Sequence, residues 1–270
     1  MGKKSESKGK AIFLINKRKI SIGFVMLILL LLIELANKVT GFGMIDGLSS
    51  IPAAFSWMGT HLVPTGKSLY NLHNILNALW QTILMAIAAT VLAAICALFF
   101  SLAGSKTTSP NMILARAARI VASFFRNIPD VVWTIILLFS FGQNMLTGVI
   151  TLFFTTFGML TRYFIEIIDE VGKDCTEALS ASGANFIQVF AQGVYPSIIP
   201  EALIWILFMV ETNIRDATLI GILTATGIGY LFNLFYTRLD FASCGLVIVS
   251  LAAVIISLEL ISNKVKRMII

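Results

Sequence analysis

The sequence predicts an all-α integral membrane protein with six transmembrane helices. Hydrophobic residues make up 57% of the 270 residues and charged residues only 13%, which is too apolar for an ordinary soluble domain. A membrane-spanning helix needs roughly 20 mostly apolar residues. Residues 200–224 meet that condition if the membrane tolerates the charges within them. Five other stretches meet it without that reservation: residues 20–35, 75–102, 121–141, 146–168 and 241–261.

The distribution of Lys and Arg predicts how these helices are oriented, because basic residues accumulate in short cytoplasmic loops. In a six-span arrangement they all fall on one side, so we expect both termini in the cytoplasm. The net charge of +6 is then a topology signal, and nucleic-acid binding is not expected. The basic residues concerned are Lys3, Lys4, Lys8, Lys10, Lys17, Arg18, Lys19, Lys106, Arg116, Arg119, Arg162, Lys173, Lys264, Lys266 and Arg267.

The first segments of the chain are a basic cytoplasmic N-terminus at residues 1–19 and a first transmembrane helix at residues 20–37. The apolar run is longer than the core of a signal peptide and no small-x-small cleavage site follows it, so we interpret it as an anchor. Residues 38–75 would lie outside. Their glycines and prolines, with scattered Trp and Phe, predict an irregular or interfacial cap containing one short surface helix.

Patterns typical of soluble enzymes are missing from the sequence. Cys96, Cys175 and Cys244 are too far apart in sequence for a metal-ligand or disulfide pattern. Residues 104–108, Gly-Ser-Lys-Thr-Thr, resemble the end of a phosphate-binding loop but lack its upstream glycine and preceding strand. We therefore expect the chain to bind no cofactor of its own.

The loop after the fourth span contains a helix-compatible stretch from residue 177 to residue 194. Small residues keep one end of it thin enough to enter a groove on a partner, and its polar face has almost no Lys or Arg, which favours docking on a protein over lipid binding. Pro196 and Pro200 are expected to end the helix and turn the chain back into the membrane. The apolar stripe consists of Leu179, Phe186, Val189, Phe190 and Val194.

These residues resemble the cytoplasmic signature of ATP-binding-cassette (ABC) importer permeases, a Glu-Ala-Ala stretch followed by Gly, Phe, Gly and Pro positions that forms the coupling helix. Leu179 replaces the second Ala of that signature. Residues 126–130 and 211–218, taken together with this loop, resemble the phosphonate-type branch across residues 76–262. Thr224 and Thr226 stand where that branch usually has a glycine-richer run. The positions that match the signature are Glu177, Ala178, Gly183, Phe190, Gly193, Pro196 and Pro200.

The resemblance implies a type I importer permease core of five helices at residues 76–262, preceded by one extra helix and followed by a cytoplasmic C-terminus at residues 263–270. The coupling helix would lie near residues 174–195. The residues that would couple it to the ATPase are Glu177, Ala178, Leu179, Gly183, Ala184, Phe190 and Gly193.

The resemblance also implies a function and a set of partners. The chain would be a non-catalytic permease subunit in a bacterial plasma membrane, carrying phosphonate or a related oxyanion such as phosphite or phosphate; a permease of the same fold for another small solute is the alternative. Its partners would be a cytoplasmic ABC ATPase dimer that uses ATP and Mg, an external substrate-binding protein, a second permease copy or paralogue, and membrane lipid.

Charged residues inside the predicted spans can be interpreted without the family, because a charge in a membrane costs several kcal/mol unless it is paired or hydrated. Arg126 and Asp130 are four residues apart, as are Glu211 and Arg215, so each pair can neutralise itself on one helical face. Structural ion pairs, residues lining a pathway and placement at the lipid interface all remain open interpretations.

Our hypothesis is that these charges and their polar neighbours line an oxyanion route. Pro129 removes a helical donor and frees the Phe125 carbonyl, which predicts either a functional break or a simple kink in the third helix. The residues assigned to the route are Arg126, Asn127, Pro129, Asp130, Glu211, Asn213, Arg215 and Asp216.

Two other functional classes fit the sequence less well. An enzyme acting on a lipid or phosphate headgroup would have to use the acidic cluster formed by Glu166, Asp169, Glu170 and Asp174, which is better interpreted as a solvated loop and helix start. A channel or assembly subunit would not explain a coupling helix followed by an intramembrane Glu-Arg pair.

Overall fold

The computed structural model describes residues 2–41, 43–185 and 188–269, without the side chains of residues 2–20, 45, 173, 174, 180 and 269. These described residues are mostly helical and contain no strand. Five helices are long and apolar enough to cross a membrane, and a bent pair of helices can provide a sixth span. The predicted all-α membrane fold with six spans is confirmed.

The chain divides into two compact units, and the first comprises Met1–Thr60. Helix α1, Gly2–Thr40, extends back through the predicted basic N-terminus, and its apolar part is the candidate span Ser21–Thr40. Two short helices follow it, α2 at Met44–Ser49 and α3 at Ile51–His61. The sequence predicted a single short helix in this segment.

The second unit, His61–Ile270, contains the remaining helices. A 3-10 turn at Ser68–Asn71 leads into α4, and a π-helical turn at Val189–Val194 leads into α8. The helices of this unit are α4 (Leu72–Gly104), α5 (Met112–Asn127), α6 (Asp130–Phe141), α7 (Met145–Ala181), α8 (Tyr195–Thr224), α9 (Gly227–Thr237) and α10 (Phe241–Ile269).

The centre of this unit is the packing of α4, α7 and α8. Ala89, Ala93 and Ala97 recur every four residues on α4 and are fully buried. Small side chains at this spacing let the helix backbones approach closely, which is how membrane helices gain packing energy. Larger side chains of α7, among them Phe157 and Leu160, fill the space beside these alanines.

The third span differs from the prediction of one helix over residues 121–141. Helix α5 ends at Asn127, α6 begins at Asp130, and the two axes meet at 90°. Ile128 and Pro129 between them have extended backbone conformations. A proline disfavours the helical conformation in the residue before it and cannot donate a backbone hydrogen bond, so the break falls at this dipeptide.

The prediction that Pro196 and Pro200 end a helix and turn the chain is wrong. Pro196 lies in the first turn of α8, where a missing N–H costs little, and Pro200 lies inside α8, which continues to Thr224. Membrane helices tolerate an internal proline because neighbouring groups satisfy the freed carbonyl. The chain reverses direction earlier, at residues 182–185, where α7 has ended.

Helix α9 was not anticipated from the sequence, because its 11 residues are too few to span a membrane. It packs against α8 through glycines. A Cβ at Gly229 would collide with the Thr218 carbonyl oxygen of α8, and a Cβ at Gly221 of α8 would collide with the Thr226 carbonyl oxygen just before α9. The two backbones are therefore in direct contact.

Candidate functional site

The corner between α5 and α6 is held by aromatic packing. The Trp133 indole of α6 stacks on Phe125 of α5 with ring centroids 5.5 Å apart, and it contacts Phe154 of α7 at 4.8 Å. Its Nε1 donates a 3.4 Å hydrogen bond to the Phe125 carbonyl, the group that the missing N–H of Pro129 leaves free. The break is thus a packed element of the fold with a satisfied backbone.

Gly158 fixes the same corner from α7. A Cβ at this position would lie 2.5 Å from the Arg126 backbone nitrogen and 2.8 Å from the Ala122 carbonyl oxygen. The C-terminal end of α5 therefore rests directly on the α7 backbone. The corner is packed between Gly158 on one side and the Trp133 ring on the other.

The predicted ion pair between Arg126 and Asp130 does not form. It assumed a continuous helix, whereas Arg126 is in the last turn of α5 and Asp130 is the first residue of α6. Within the part of the chain that the structure describes, Arg126 has no ion-pair partner and its side chain is exposed. Its cation lies at the helix C-terminus, where the helix dipole stabilises positive charge.

Asp130 faces a different helix from the one predicted. The Thr155 hydroxyl of α7 is near its carboxyl group, and Asp216 of α8 is close enough for the two carboxyl groups to repel each other. The structure thus brings together the sequence motifs at residues 126–130 and 211–218. Sequence spacing gave no indication of this approach.

The predicted pair of Glu211 and Arg215 is present. The Arg215 guanidinium donates a hydrogen bond to Glu211 Oε1 along one face of α8. The Glu211 side chain is only 13% exposed and the Arg215 side chain 44%, so the cation is the more open of the two. Asp216 lies beside Arg215, which also attracts its carboxylate.

The hypothesis placed Asn213 on the route, but the structure buries it between helices. It is 1% exposed and its Nδ2 donates 2.8 Å hydrogen bonds to Thr90 of α4 and Thr156 of α7. It therefore ties the three central helices together. Two further residues of this hypothesis, Asn127 and Pro129, are exposed at the α5–α6 corner.

The segment assigned to ATPase coupling is a helix–turn–helix rather than one helix. Gly183 has φ of +86°, a left-handed conformation that glycine adopts without strain. The Leu179 carbonyl accepts hydrogen bonds from the backbone N–H groups of Ser182, at 3.2 Å, and Ala184, at 3.1 Å. The Ala184 bond spans six residues, which identifies a Schellman motif with Gly183 at its left-handed position.

A reciprocal cap starts the next helix. The Asn185 N–H donates to Gln188 Oε1 at 2.9 Å, and the Gln188 N–H donates to Asn185 Oδ1 at 3.0 Å. This is the arrangement of a capping box. An Asn followed three residues later by Gln is the sequence signal that could have located the turn. Phe186, which was assigned to the apolar stripe, lies outside the described residues.

Leu179 and Gly193 hold the two arms of this turn together. A Cβ at Gly193 would lie 2.6 Å from Leu179 Cδ1, so the π-helical turn packs against the end of α7. Phe190 is half-buried in the same cluster. Glu177, Ala178 and Gly183 are exposed, whereas Ala184 is partly covered. We call the exposed part of residues 177–185 and 188–192 the cytoplasmic tip, after the side of the membrane on which the sequence predicts it.

Asp169 organises the connection between α4 and α5. Its Oδ1 accepts hydrogen bonds from Ser105 Oγ at 2.6 Å and the Lys106 N–H at 2.7 Å, and its Oδ2 accepts one from Arg119 at 2.7 Å. The segment that resembled a phosphate-binding loop thus encloses a carboxylate of its own chain. Glu166 pairs with Arg162 at 2.6 Å. These partners give both carboxylates structural roles.

Comparisons with known proteins fit this architecture. The family model described as "Binding-protein-dependent transport system inner membrane component" matches residues 97–268. The phosphate-import permease protein PhnE of Mycolicibacterium smegmatis is 27% identical over 70% of this chain and 36% of its own length. The phosphite transport system permease protein PtxC of Stutzerimonas stutzeri is 30% identical over 57% of this chain and 56% of its own. The matched part thus spans about a third and about half of these two relatives.

Solved structures share the fold. A chain of the MetNI methionine ABC transporter in an inward-facing conformation superposes with a TM-score of 0.67 at 15% identity, covering 76% of this chain and 99% of that one. A chain of an amino acid ABC transporter gives a TM-score of 0.65 at 14% identity, covering 76% of this chain and 98% of that one.

Proposed function

Because the chain belongs to the family of binding-protein-dependent transport system inner membrane components, we propose that it forms the pathway of an ATP-driven importer for phosphonate or a related phosphorus oxyanion, such as phosphite or phosphate. The two relatives described above, a phosphate permease and a phosphite permease, support the substrate class. The chain is a non-catalytic permease subunit of the inner membrane, and ATP hydrolysis belongs to a separate subunit.

The observation that carries the proposed substrate class is the exposed Arg126 at the α5–α6 corner. A cation without a partner among the described residues is costly against lipid, so it faces a hydrated cavity or a second chain. An oxyanion accepts charge-assisted hydrogen bonds from a guanidinium group. Of the two cations on the proposed route, Arg126 is therefore more available to a passing anion than Arg215, which is paired with Glu211.

Arg215 offers a second, weaker contact on the proposed route. Its guanidinium is already bonded to Glu211, so an arriving anion must compete with that carboxylate. Competition of this kind keeps binding weak enough for release, which transport requires. Asp130 and Asp216 beside it oppose long residence of an anion. We assign capture affinity and selectivity to an external binding protein.

The cytoplasmic tip is the proposed contact with a dimer of ABC ATPases, which would use ATP and Mg. Its two arms are the ends of long helices, and the arm formed by α8 also carries the charged residues Glu211 and Arg215. At 1.5 Å per residue, α8 extends about 30 Å from its first turn to Arg215. Movement of the tip can therefore reach the route as rigid-body motion and alternate its access.

A second permease, either a copy or a paralogue, completes the pathway in this proposal. The basic residues support cytoplasmic termini. The alternative of a headgroup enzyme is not retained, because Asp169 and Glu166 of its acidic cluster have structural partners and the family consists of permease subunits.

The test is ATP hydrolysis and anion uptake in proteoliposomes that contain this chain, its ATPase and its binding protein. We expect one of phosphonate, phosphite or phosphate to stimulate hydrolysis and to accumulate. Gly183→Arg should abolish both by filling the exposed turn. Gly183→Asn is the control, because asparagine tolerates the left-handed conformation and adds little bulk. Normal assembly and uptake with Gly183→Arg would overturn the coupling role.

A further inference from the structure

A cavity of about 500 Å³ lies at the end of the second unit opposite the cytoplasmic tip. It is an open cavity, bordered by the first turns of α4, the start of α7, and the junction of α8 and α9. In the proposed orientation this end faces the outside, so we call it the outer cavity. Its lining residues include Asn74, Asn77, Gln81, Thr226 and Tyr230.

The wall formed by α4 is a polar stripe in an otherwise apolar helix. Asn74, Asn77 and Gln81 follow one another at spacings of three and four residues, which places them on one helical face. Polar side chains in a span are costly against lipid and generally face a cavity or another protein. This stripe borders the outer cavity along its whole length.

The opposite wall is fixed in place by Thr82. Its hydroxyl donates a 2.9 Å hydrogen bond to the Ala78 carbonyl and accepts one of 2.9 Å from the Ile228 N–H at the start of α9. Gly227 has φ of +60°, and a Cβ there would collide with the Thr82 hydroxyl. This wall of the cavity is therefore fixed by a backbone-to-helix contact.

The hydrogen-bonding groups of the lining are mostly available. Among the described residues, the side chains of Asn74, Gln81 and Tyr230 make no hydrogen bond to protein, and Asn77 shares one of 3.1 Å with His73. The described lining contains no Asp, Glu, Lys or Arg. Amides and a phenol without a neighbouring carboxylate can donate several hydrogen bonds to an anion and repel none of its charge.

We propose that the outer cavity is a neutral binding subsite for a small tetrahedral oxyanion, which the polar stripe of α4 and Tyr230 hold by uncharged donors before the anion reaches the charged residues. This inference rests on the proposed function. About 15 Å of α8 separates the cavity at Ala225 from Arg215. Neutral donors bind an anion weakly, so the anion can leave for the guanidinium groups that lie deeper.

The experiment measures uptake by the reconstituted complex while the liganded binding protein is titrated. The variants are Gln81→Leu, which removes the donor, and Gln81→Glu, which places a carboxylate of the same shape in the cavity. Asn233→Asp adds the same charge on α9 outside the lining and is the matched control. Copurification with the ATPase establishes that each variant assembles.

We expect Gln81→Glu to lower the maximal uptake rate by about tenfold or more, with Gln81→Leu lowering it about threefold. The concentration of binding protein that gives half-maximal uptake should stay unchanged, because docking precedes entry into the cavity. Asn233→Asp should behave as wild type. Equal rates for Gln81→Glu and Asn233→Asp, or equal losses in Gln81→Glu and Gln81→Leu, would overturn the subsite while the proposed function stands.

A second measurement does not depend on turnover. Gln81→Cys, in a chain whose Cys96, Cys175 and Cys244 are replaced by alanine, should react with a membrane-impermeant thiol reagent, and phosphonate should slow the reaction. Trp80→Cys is exposed on α4 but outside the lining and should not be protected. Absence of protection at position 81 in a complex that transports phosphonate overturns the subsite. Absence of any anion uptake by wild type overturns the proposed function itself.

Discussion

The Arg119 guanidinium and the Asp169 carboxylate meet at 2.7 Å and join α5 to α7 at the end where α4 turns into α5. Their side chains are only 26% and 25% exposed, so the pair is shielded from solvent. Arg119 also donates a 2.8 Å hydrogen bond to the Gly104 carbonyl. One carboxylate thus fixes a loop and two helices.

Asp169→Asn is expected to lower the stability of the folded chain by about 1–3 kcal/mol, because it leaves a partly buried guanidinium without its counter-charge. The measurement is the thermal unfolding midpoint in detergent micelles. Glu166→Gln is the control, since its pair with Arg162 is 54% and 42% exposed and exposed pairs contribute about 0–1 kcal/mol. Equal shifts in the two variants would contradict the structural role of Asp169.

Gly158→Ala is expected to destabilise the α5–α6 corner by about 1–3 kcal/mol, the usual range for overpacking. The added methyl would press on the Arg126 and Ala122 backbones, which cannot rotate away. Gly148→Ala, also on α7, is the control because its nearest neighbour is the flexible Met85 side chain. The measurement is the unfolding midpoint of both variants in detergent micelles. If Gly158→Ala is as stable as Gly148→Ala, α5 does not rest directly on the α7 backbone.

Asn213→Ala is expected to cost about 1–2 kcal/mol of stability, because the Thr90 and Thr156 hydroxyls lose the amide that joins them. Asn127→Ala, at the exposed corner, should leave the unfolding midpoint unchanged. Per folded complex, the effects on anion uptake should be reversed: Asn127→Ala should slow uptake, whereas Asn213→Ala should not. If Asn213→Ala is as stable as wild type but takes up anions more slowly, Asn213 lines the route instead of joining the helices.

Arg126→Gln is expected to slow anion uptake by about tenfold or more, since a charge-assisted hydrogen bond contributes about 1.5–3 kcal/mol. ATP hydrolysis by the assembled complex should persist. Arg116→Gln removes the same charge from an exposed position earlier on α5 and should transport as wild type. The measurement is the rate of anion uptake by each variant in proteoliposomes. Comparable losses of uptake in Arg126→Gln and Arg116→Gln would show that overall charge matters more than the position of Arg126.

Gly193→Ala should weaken the coupling of ATP hydrolysis to uptake, because the new methyl pushes Leu179 away from the π-helical turn. Leu179→Ala alone should weaken it by leaving a gap. The double variant should recover part of the coupling, since neighbouring residues show interaction energies of about 0.5–3 kcal/mol. The quantity to measure is the number of anions carried per ATP, and simple addition of the two defects would mean that the residues do not touch.

Hydropathy and helical spacing were sufficient to predict six spans and the Glu211–Arg215 pair, because both features depend on a single helix at a time. The same spacing rule failed for Arg126 and Asp130, since it holds only where the helix is continuous. Pro129 broke the third span, yet Pro200 was accommodated inside α8. A proline alone therefore did not decide where helices end in this chain; Trp133 and Gly158 stabilise the break.

The approach of Asp130 to Asp216 could not be predicted, because it depends on how α6 packs against α8 between positions 86 residues apart in sequence. The outer cavity has the same origin, because its lining comes from α4, α7, α9 and the junction between α8 and α9. The turn at Gly183 was within reach of prediction, since a glycine followed by an Asn-x-x-Gln cap is a local signal.

The Schellman turn gives the cytoplasmic tip a particular kind of evolutionary freedom. Its shape is set by two hydrogen bonds to the Leu179 carbonyl and by the conformation of Gly183, and none of these involves the exposed side chains of Glu177 or Ala178. Those side chains can change without disturbing the bonds that form the turn. If the tip contacts the ATPase as proposed, a lineage could exchange one ATPase for another by surface substitutions, with the turn itself left unaltered.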